Sequence, residues 1–159
     1  MTEISGRVTL VPLTVADADE MVDVLGGDLY AFIGGSAPTL EELRARYARQ
    51  VAGGPPGQEW RNWIVRVEGQ AIGYVQATIT HEGRRAEIAW VVGERWQGRG
   101  YASEAARALV DWLDERGVST VEAHIHPDHT ASAAVARRAG LVPTGRFDDG
   151  ERLWRRGPA

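Results

Sequence analysis

At 159 residues the chain has the length of one compact domain, which on folding buries roughly 70% of the surface its unfolded form exposes. Its 43% hydrophobic and 25% charged composition is that of a globular protein, and a net charge of −4, with basic residues scattered among acidic ones, gives no electrostatic reason to expect nucleic-acid binding. The lack of cysteine excludes a disulfide framework, a thiolate zinc site and a cysteine nucleophile; with no basic and apolar leader pattern and no apolar run near the roughly 18 residues of a membrane span, no membrane association and a cytoplasmic location are expected.

Arg7 to Leu13 alternates apolar and polar residues, with Val8, Leu10 and Pro12 on one face, and predicts a first strand. Thr14 and Asp17 form a weak capping box before a helix over Ala18 to Leu25, which Gly26 and Gly27 stop. A second box, Thr39 with Glu42, opens a helix to about Val51 that Gly53-Gly54-Pro55-Pro56-Gly57 ends. Trp60 to Val67 and Ala71 to Thr80 flank the turn at Glu68-Gly69-Gln70 as a hairpin, and Arg85 to Val92 extends it to a meander. Ala102 to Arg116 carries Ala105, Ala108, Leu109, Trp112 and Leu113 at helical spacing, with Gly117 placed to cap it. Thr120 to Ile125 reads as a strand and Thr130 to Ala139 as a short helix; Leu141 to Phe147 and Arg152 to Arg155 flank a turn at Asp149-Gly150. The order β-α-α-β-β-β-α-β-α-β-β implies an α+β layout, mostly antiparallel, turning parallel where a helix joins the fourth and fifth strands.

Chemistry concentrates between Glu87 and Glu104. There a strand enters a loop holding Gly98 and Gly100, and the loop enters a helix with no Ser, Asp or Asn at its start. The first helical amides therefore lack an obvious side-chain partner, and a pyrophosphate meeting them would act as the cap, each charge-assisted hydrogen bond worth about 1.5–3 kcal/mol. Two glycines also serve merely to shape a turn. A Rossmann fingerprint would place them directly after the strand, with Gly or Ala where Ser103 stands; Glu122, about 20 residues on, sits at the distance of a ribose acid and keeps a nucleotide-binding oxidoreductase open as a reading. No Walker loop exists.

Gln97-Gly98-Arg99-Gly100-Tyr101-Ala102 matches the signature of the GNAT superfamily of acyl-CoA-dependent N-acyltransferases: Arg or Gln, two residues, Gly, one residue, then Gly or Ala. His126-Pro127-Asp128-His129-Thr130-Ala131-Ser132 and Arg138-Ala139-Gly140-Leu141 resemble the family's later segments, and the order of elements fits throughout. The chain is most similar to the branch of ribosomal-protein N-terminal-alanine acetyltransferases, with aminoglycoside acetyltransferases as a second likeness. The resemblance implies a single acyltransferase domain over 1–159, with a mixed, mostly antiparallel sheet of six to seven strands flanked by about four helices. It implies acetyl-CoA as co-substrate, a small-molecule amine or a protein N-terminus as acceptor, and a monomer or homodimer. Gln97, Gly98, Arg99, Gly100, Tyr101 and Ala102, helped by the Ser103 hydroxyl, would hold the pyrophosphate. Trp90, Val91 and Val92 would offer main-chain hydrogen bonds to the pantetheine arm, with a backbone N–H polarising the thioester carbonyl. Two departures follow: His129 stands where the family usually has a pantetheine-contacting Asn, and Ala136 where many members carry the Tyr that protonates the departing thiolate.

Attack on a thioester needs a neutral amine. An α-amine of pKa near 8 is largely neutral at pH 7.4, a lysine only to roughly one part in a thousand, a difference of about 4 kcal/mol. Glu87 is the candidate base, against the alternative of an exposed strand carboxylate balancing Arg84 and Arg85. Ser132 is the candidate acid, against a hydroxyl capping its own helix; a thiolate of pKa near 8.5 also departs with little help. His124 and His126 share a strand face, but with no obvious third ligand a metal is not expected. Trp63, Trp90 and Trp112 are read as core, and Trp60 and Trp154 as candidates to line an acceptor pocket. By the resemblance, acceptor choice resides in Gly26 to Pro38 and Gly53 to Gln58, with Asp28, Glu41 and Glu59 available to attract a cation. The missing Tyr and the His129 departure also admit a catalytically weak CoA-binding regulatory module.

Overall fold

The computed structural model describes residues 3–26 and 36–159. In chain order it comprises β1 (Glu3–Ser5), β2 (Val8–Pro12), α1 (Ala18–Val24), α2 (Leu40–Ala52), β3 (Glu59–Val67), β4 (Gln70–Thr80), β5 (Arg85–Val92), α3 (Tyr101–Glu115), β6 (Thr120–Ile125), α4 (Thr130–Arg138), β7 (Val142–Asp148) and β8 (Glu151–Arg156). The eight strands form one sheet in the order β1-β2-β3-β4-β5-β6-β8-β7. The expected layout stands, including the single parallel pairing of β5 with β6 across the α3 crossover. The extra strand is β1, three residues paired with β2, too short for any alternation to announce it.

Period-2 alternation divides the sheet into two buried faces. Val65, Val75, Ile88, Val121 and Ala123 pack with Ala105, Leu109 and Leu113 of α3 and Val135 and Ala136 of α4. Ile64 and Ala71 pack on the other face with Met21 of α1 and Leu43 and Tyr47 of α2. Trp63 and Trp112 meet edge-to-face with centroids 4.9 Å apart, as their core assignment requires. Both capping boxes form: Asp17 accepts from the Thr14 amide at 2.7 Å, and Glu42 donates its amide to the Thr39 hydroxyl at 3.1 Å. Among the described residues no helix is long and apolar enough to cross a membrane.

Gly73 fixes how β4 meets β5. It lies beside a register shift in the β3–β4 ladder, where Val65 pairs with Gly73 and Arg66 with Ala71, and it opposes Val92. A Cβ built there collides with the Val91 carbonyl and the Val92 Cα, both backbone atoms that have no rotamer to escape into. Gly73→Ala is therefore expected to cost about 2 kcal/mol, in the range of overpacked interiors. Chemical denaturation checks this, and an unchanged midpoint would show that the two strands separate freely.

Candidate functional site

The loop before α3 is wound through two glycines in the left-handed region. Gly98 and Gly100 have φ of 77° and 84°, and Gly100, in the left-handed region, is the α3 N-cap with no side chain closing it. A Cβ at Gly98 would meet nothing within 4 Å, so the space over the loop is open on that side. The first-turn amides of Tyr101, Ala102 and Ser103 precede any intrahelical acceptor, and the helix dipole makes this mouth attractive to an anion. One acidic residue, Glu104, lies in that first turn, and Arg7 of the β1–β2 turn binds it at 2.8 Å through Nε. The same guanidinium donates to the Arg99 carbonyl at 2.7 Å and covers the Tyr101 ring at 4.4 Å. Arg7 thus clasps the loop and offsets the one charge there that would repel a phosphate. Arg138, at the end of α4, donates to the Ser103 hydroxyl at 3.2 Å and brings a second cation to the mouth. Neither arginine was singled out from the sequence as a site residue; Arg7 and Glu104 are 97 positions apart, so only tertiary structure joins them.

Beside this mouth the sheet opens. β5 and β6 are in register only at Arg85 with Thr120, Ala86 with Val121 and Glu87 with Glu122. Beyond that point β5 runs on to Val92 along β4, and β6 runs on to Ile125 along β8. Ile88–Val92 therefore leave backbone groups on their β6 side without a strand partner. Trp90, Val91 and Val92 lie along this open edge, and Gln97 reaches back to donate to the Val92 carbonyl at 3.0 Å. The cleft and the uncapped helix mouth are adjacent because the same strand feeds both. Together they suit a long acyl-thioester arm ending in a diphosphate.

Glu87 is the last β5 residue to pair with β6, so its carboxylate stands at the point of divergence, 60% exposed. It projects on the α1–α2 face, with Ala89 and Val91 by alternation. His124, two residues past Glu122 on β6, faces the same way and places Nδ1 3.1 Å from the Glu87 carboxylate; its Nε2 lies 2.8 Å from Asp148 of β7. Burial alone would lower the His124 pKa, but the hydrogen bond to Asp148 and the charges of Glu87, Asp148 and Glu151 outweigh it and raise the value. Asp148 is lowered, chiefly by its hydrogen bond to His124 and further by Arg146. The result is an imidazole set between two carboxylates across three strands, with its charged form favoured. Sequence reasoning found Glu87 but weighed His124 only as a metal ligand, because Asp148 arrives on a strand whose pairing partner is β8, not β6.

The remaining expectations sort as follows. Ser132 lies one turn into α4 with its hydroxyl 3.4 Å from Nε2 of His129, the N-cap residue of that helix. Burial, with a smaller contribution from the charge of His126, lowers the His129 pKa. His126 falls just past β6 and accepts from the Asp128 amide at 3.1 Å, away from the Glu87 cluster. No group of three metal-ligating side chains forms among the described residues. Trp154 is 4% exposed, with Arg137 stacked on it, so it belongs to the α3–α4 core and lines no acceptor pocket. Trp60 donates to Gln58 at 2.9 Å on the rim. Glu59 is bound by Arg116 and Arg61, which hold its carboxyl down at about 2, so its charge serves the β3–α3 contact rather than a substrate. Glu122 sits between Arg85 and Arg155, at 2.8 and 3.0 Å, and is no ribose ligand. Asp28, with most of the Gly26 to Pro38 segment, lies outside the described residues.

Comparison with known proteins bears on the family and the fold. A family model described as an acetyltransferase (GNAT) domain matches residues 7–142. An L-2,4-diaminobutyric acid acetyltransferase of Nocardia farcinica is 34% identical over 95 residues, covering 55% of this chain and 49% of that protein. The chain spans about half the length of the curated relatives it matches. Among solved structures, the ribosomal L7/L12 α-N-protein acetyltransferase RimL, in complex with coenzyme A, superposes with a TM-score of 0.86 at 18% identity, covering 99% of this chain and 98% of that one. An acetyltransferase of Agrobacterium tumefaciens gives 0.78 at 27% identity, covering 99% and 95%.

The His124 bridge has a measurable signature in stability. Its pKa is raised above the unfolded reference of 6.5, so the stability it contributes is full below that value and is lost as pH rises through the folded value. Thermal midpoints measured upward from pH 6 should fall in the wild type by an increment that His124→Gln lacks; identical pH profiles would show that the imidazole is not held as a cation.

Proposed function

The chain belongs to the GNAT acetyltransferase family, and on that premise we propose that it is an N-acetyltransferase that moves an acetyl group from acetyl-CoA to a primary amine by direct attack on the thioester. The observation that carries this reading is the divergence of β5 from β6 directly beside an uncapped helix mouth. Bound acetyl-CoA supplies an activated acyl carbonyl. The amides of Gln97, Gly98, Arg99, Gly100, Tyr101 and Ala102, the Ser103 hydroxyl and the Arg138 guanidinium hold the pyrophosphate; the open space at Gly98 is room that a side chain would fill. Main-chain groups of Trp90, Val91 and Val92 hydrogen-bond the pantetheine arm, and a backbone N–H on this edge stabilises negative charge developing on the carbonyl oxygen.

On the opposite face of the opening Glu87 takes the proton that the attacking nitrogen loses, directly or through a water molecule. His124 holds that carboxylate through its charge, with Nδ1 3.1 Å away, while Asp148 hydrogen-bonds the ring from the other side. His129 approaches the arm, and Ser132 gives a proton to the departing thiolate. Ala136 is fully buried, so its position supplies no acid, and the low basicity of a thiolate makes the demand on Ser132 small. The protein works as one domain in the cytoplasm, as a monomer or homodimer, on a small-molecule amine or a protein N-terminus, the two acceptor classes named among its relatives.

Acetyl-CoA should raise the thermal midpoint of the wild type, and Gly98→Val should lose most of that rise because its side chain occupies the phosphate space. Glu87→Gln should lower kcat by roughly 100-fold at pH 7 with little change in acetyl-CoA binding. Stabilisation by acetyl-CoA without thiol release from any amine would replace the enzyme by a CoA-binding regulatory module, and stabilisation by NAD instead would overturn both.

A further inference from the structure

A second polar cavity, of about 160 Å3, lies between α2 and the sheet, and its lining is unusual for this chain. Arg46 and Gln50 of α2 form its roof; Asn62 of β3 and Gln76 of β4 form its floor, between the rings of Tyr47 and Tyr74. Arg46, Gln50, Asn62 and Gln76 are half-buried, and none of these four side chains makes a hydrogen bond or ion pair with a described residue. Elsewhere on the same face guanidinium groups are committed: Arg44 to Asp19, Arg66 to Asp17 and Glu20, Arg85 and Arg155 to Glu122. Among the described residues Arg46 has only the through-space influence of Glu42, one turn back. No carboxylate among the described residues lines the cavity. One cation and three carboxamides, partly withdrawn from water and without partners among the described residues, match a single anionic group with two acceptor oxygens, which a guanidinium engages as a fork. The volume admits a carboxylate and a few methylenes.

The cavity also stands at a defined place relative to the opening in the sheet. Asn62 opposes Gln76, and Gln76 opposes Ala89; Tyr74 opposes Val91 and Thr78 opposes Glu87. By alternation all of these project on the α1–α2 face. Among the described residues, Ala89 is the β5 residue that stands between the floor at Gln76 and the edge of the cleft. Gln76 and Ala89 are one strand spacing apart, about 4.8 Å, and the row of Glu87 lies one two-residue step along, about 6.6 Å. A group in the cavity and a nitrogen beside Glu87 are thus separated by more than the two bonds between the α-amine and carboxyl carbon of an amino acid.

We propose that this cavity is a carboxylate subsite and that the acceptor is the side-chain amine of a diamino acid, its carboxylate on Arg46 and its nitrogen brought over Ala89 to Glu87. This rests on the acetyltransferase reading and sharpens it. Such an amine is far less neutral at pH 7 than an α-amine, which gives the Glu87–His124–Asp148 cluster a proton to remove.

The test compares lysine and ornithine with cadaverine and putrescine, the same chains without the carboxylate. Thiol release from acetyl-CoA should favour the amino acids by at least about tenfold in kcat/KM, the value of one charge-assisted contact, mostly through KM. In Arg46→Gln that preference should shrink to about twofold, and Arg46→Lys should restore part of it. A readout independent of turnover is the thermal midpoint with CoA present: lysine should raise it in the wild type more than cadaverine does, and the excess should vanish in Arg46→Gln. Equal use of amino acids and diamines, or a preference that survives Arg46→Gln, overturns the subsite while leaving the acetyltransferase standing. Best turnover on a free peptide N-terminus that is insensitive to Arg46 assigns the acceptor to proteins and likewise overturns it. Lysine-specific stabilisation that depends on Arg46, with no turnover of any amine, supports the subsite and removes the catalytic reading instead.

Discussion

Three residue pairs of parallel register decide what this molecule can do. β5 and β6 are joined at Arg85–Glu87 and Thr120–Glu122 and nowhere beyond, because each strand has a stronger commitment on its far side: β5 to β4 along its whole length, β6 to β8. Glu122 pins the last joined pair. It accepts from Arg85 on β5 and Arg155 on β8, and although burial opposes its charge, the two guanidinium contacts keep its pKa below the usual carboxylate value. Sheet backbone left open in this way requires a partner for its amides and carbonyls. An extended ligand with amide groups satisfies that requirement, and the helix mouth immediately downstream of the same strand receives the charged end.

Much of this was legible in the sequence, for a physical reason. Alternation, capping boxes and paired turn residues act within a few positions, so the helix at Thr39–Glu42, the hairpin at Glu68-Gly69 and the strand before Gly93 could all be read locally. The Gln97 to Ala102 loop was readable because a glycine turn into an uncapped helix is built from contiguous backbone. What was not legible depends on distant partners. Arg7 reaches Glu104, His124 reaches Asp148, and Arg138 reaches Ser103 only after strands and helices are in place. Trp154 was misjudged as a pocket residue because it pairs on β8 toward α4, a direction set by which edge of β6 the final hairpin joins. The three-residue β1 carries no periodic signal at all.

Net charge was also a poor guide to local field. The chain as a whole is negative, yet Arg7, Arg99 and Arg138 gather at the mouth of α3 and Arg46 stands over an amide-lined hollow on the opposite face. Most acidic side chains near these sites are already engaged, so their charge is largely spent before any ligand arrives. The two faces of the sheet therefore differ: an uncapped helix mouth beside an open strand edge on one, and a carboxylate–histidine–carboxylate bridge beside Arg46, a guanidinium without an ion-pair partner among the described residues, on the other.

The clasp between Arg7 and Glu104 ties nearly the first turn of the chain to its longest described helix, while β6 finds its second neighbour only when β8 has been made. Contacts of such sequence separation are slow to close, since loop entropy must be overcome before they contribute. On a ribosome, the N-terminal hairpin and the β3–β4–β5 meander have all their strands well before Arg152–Arg156 emerges. A nascent chain lacking that strand already holds β5 and β6, but β6 lacks the far-side partner that draws it away from β5, so the opening between them is fixed only once β8 pairs.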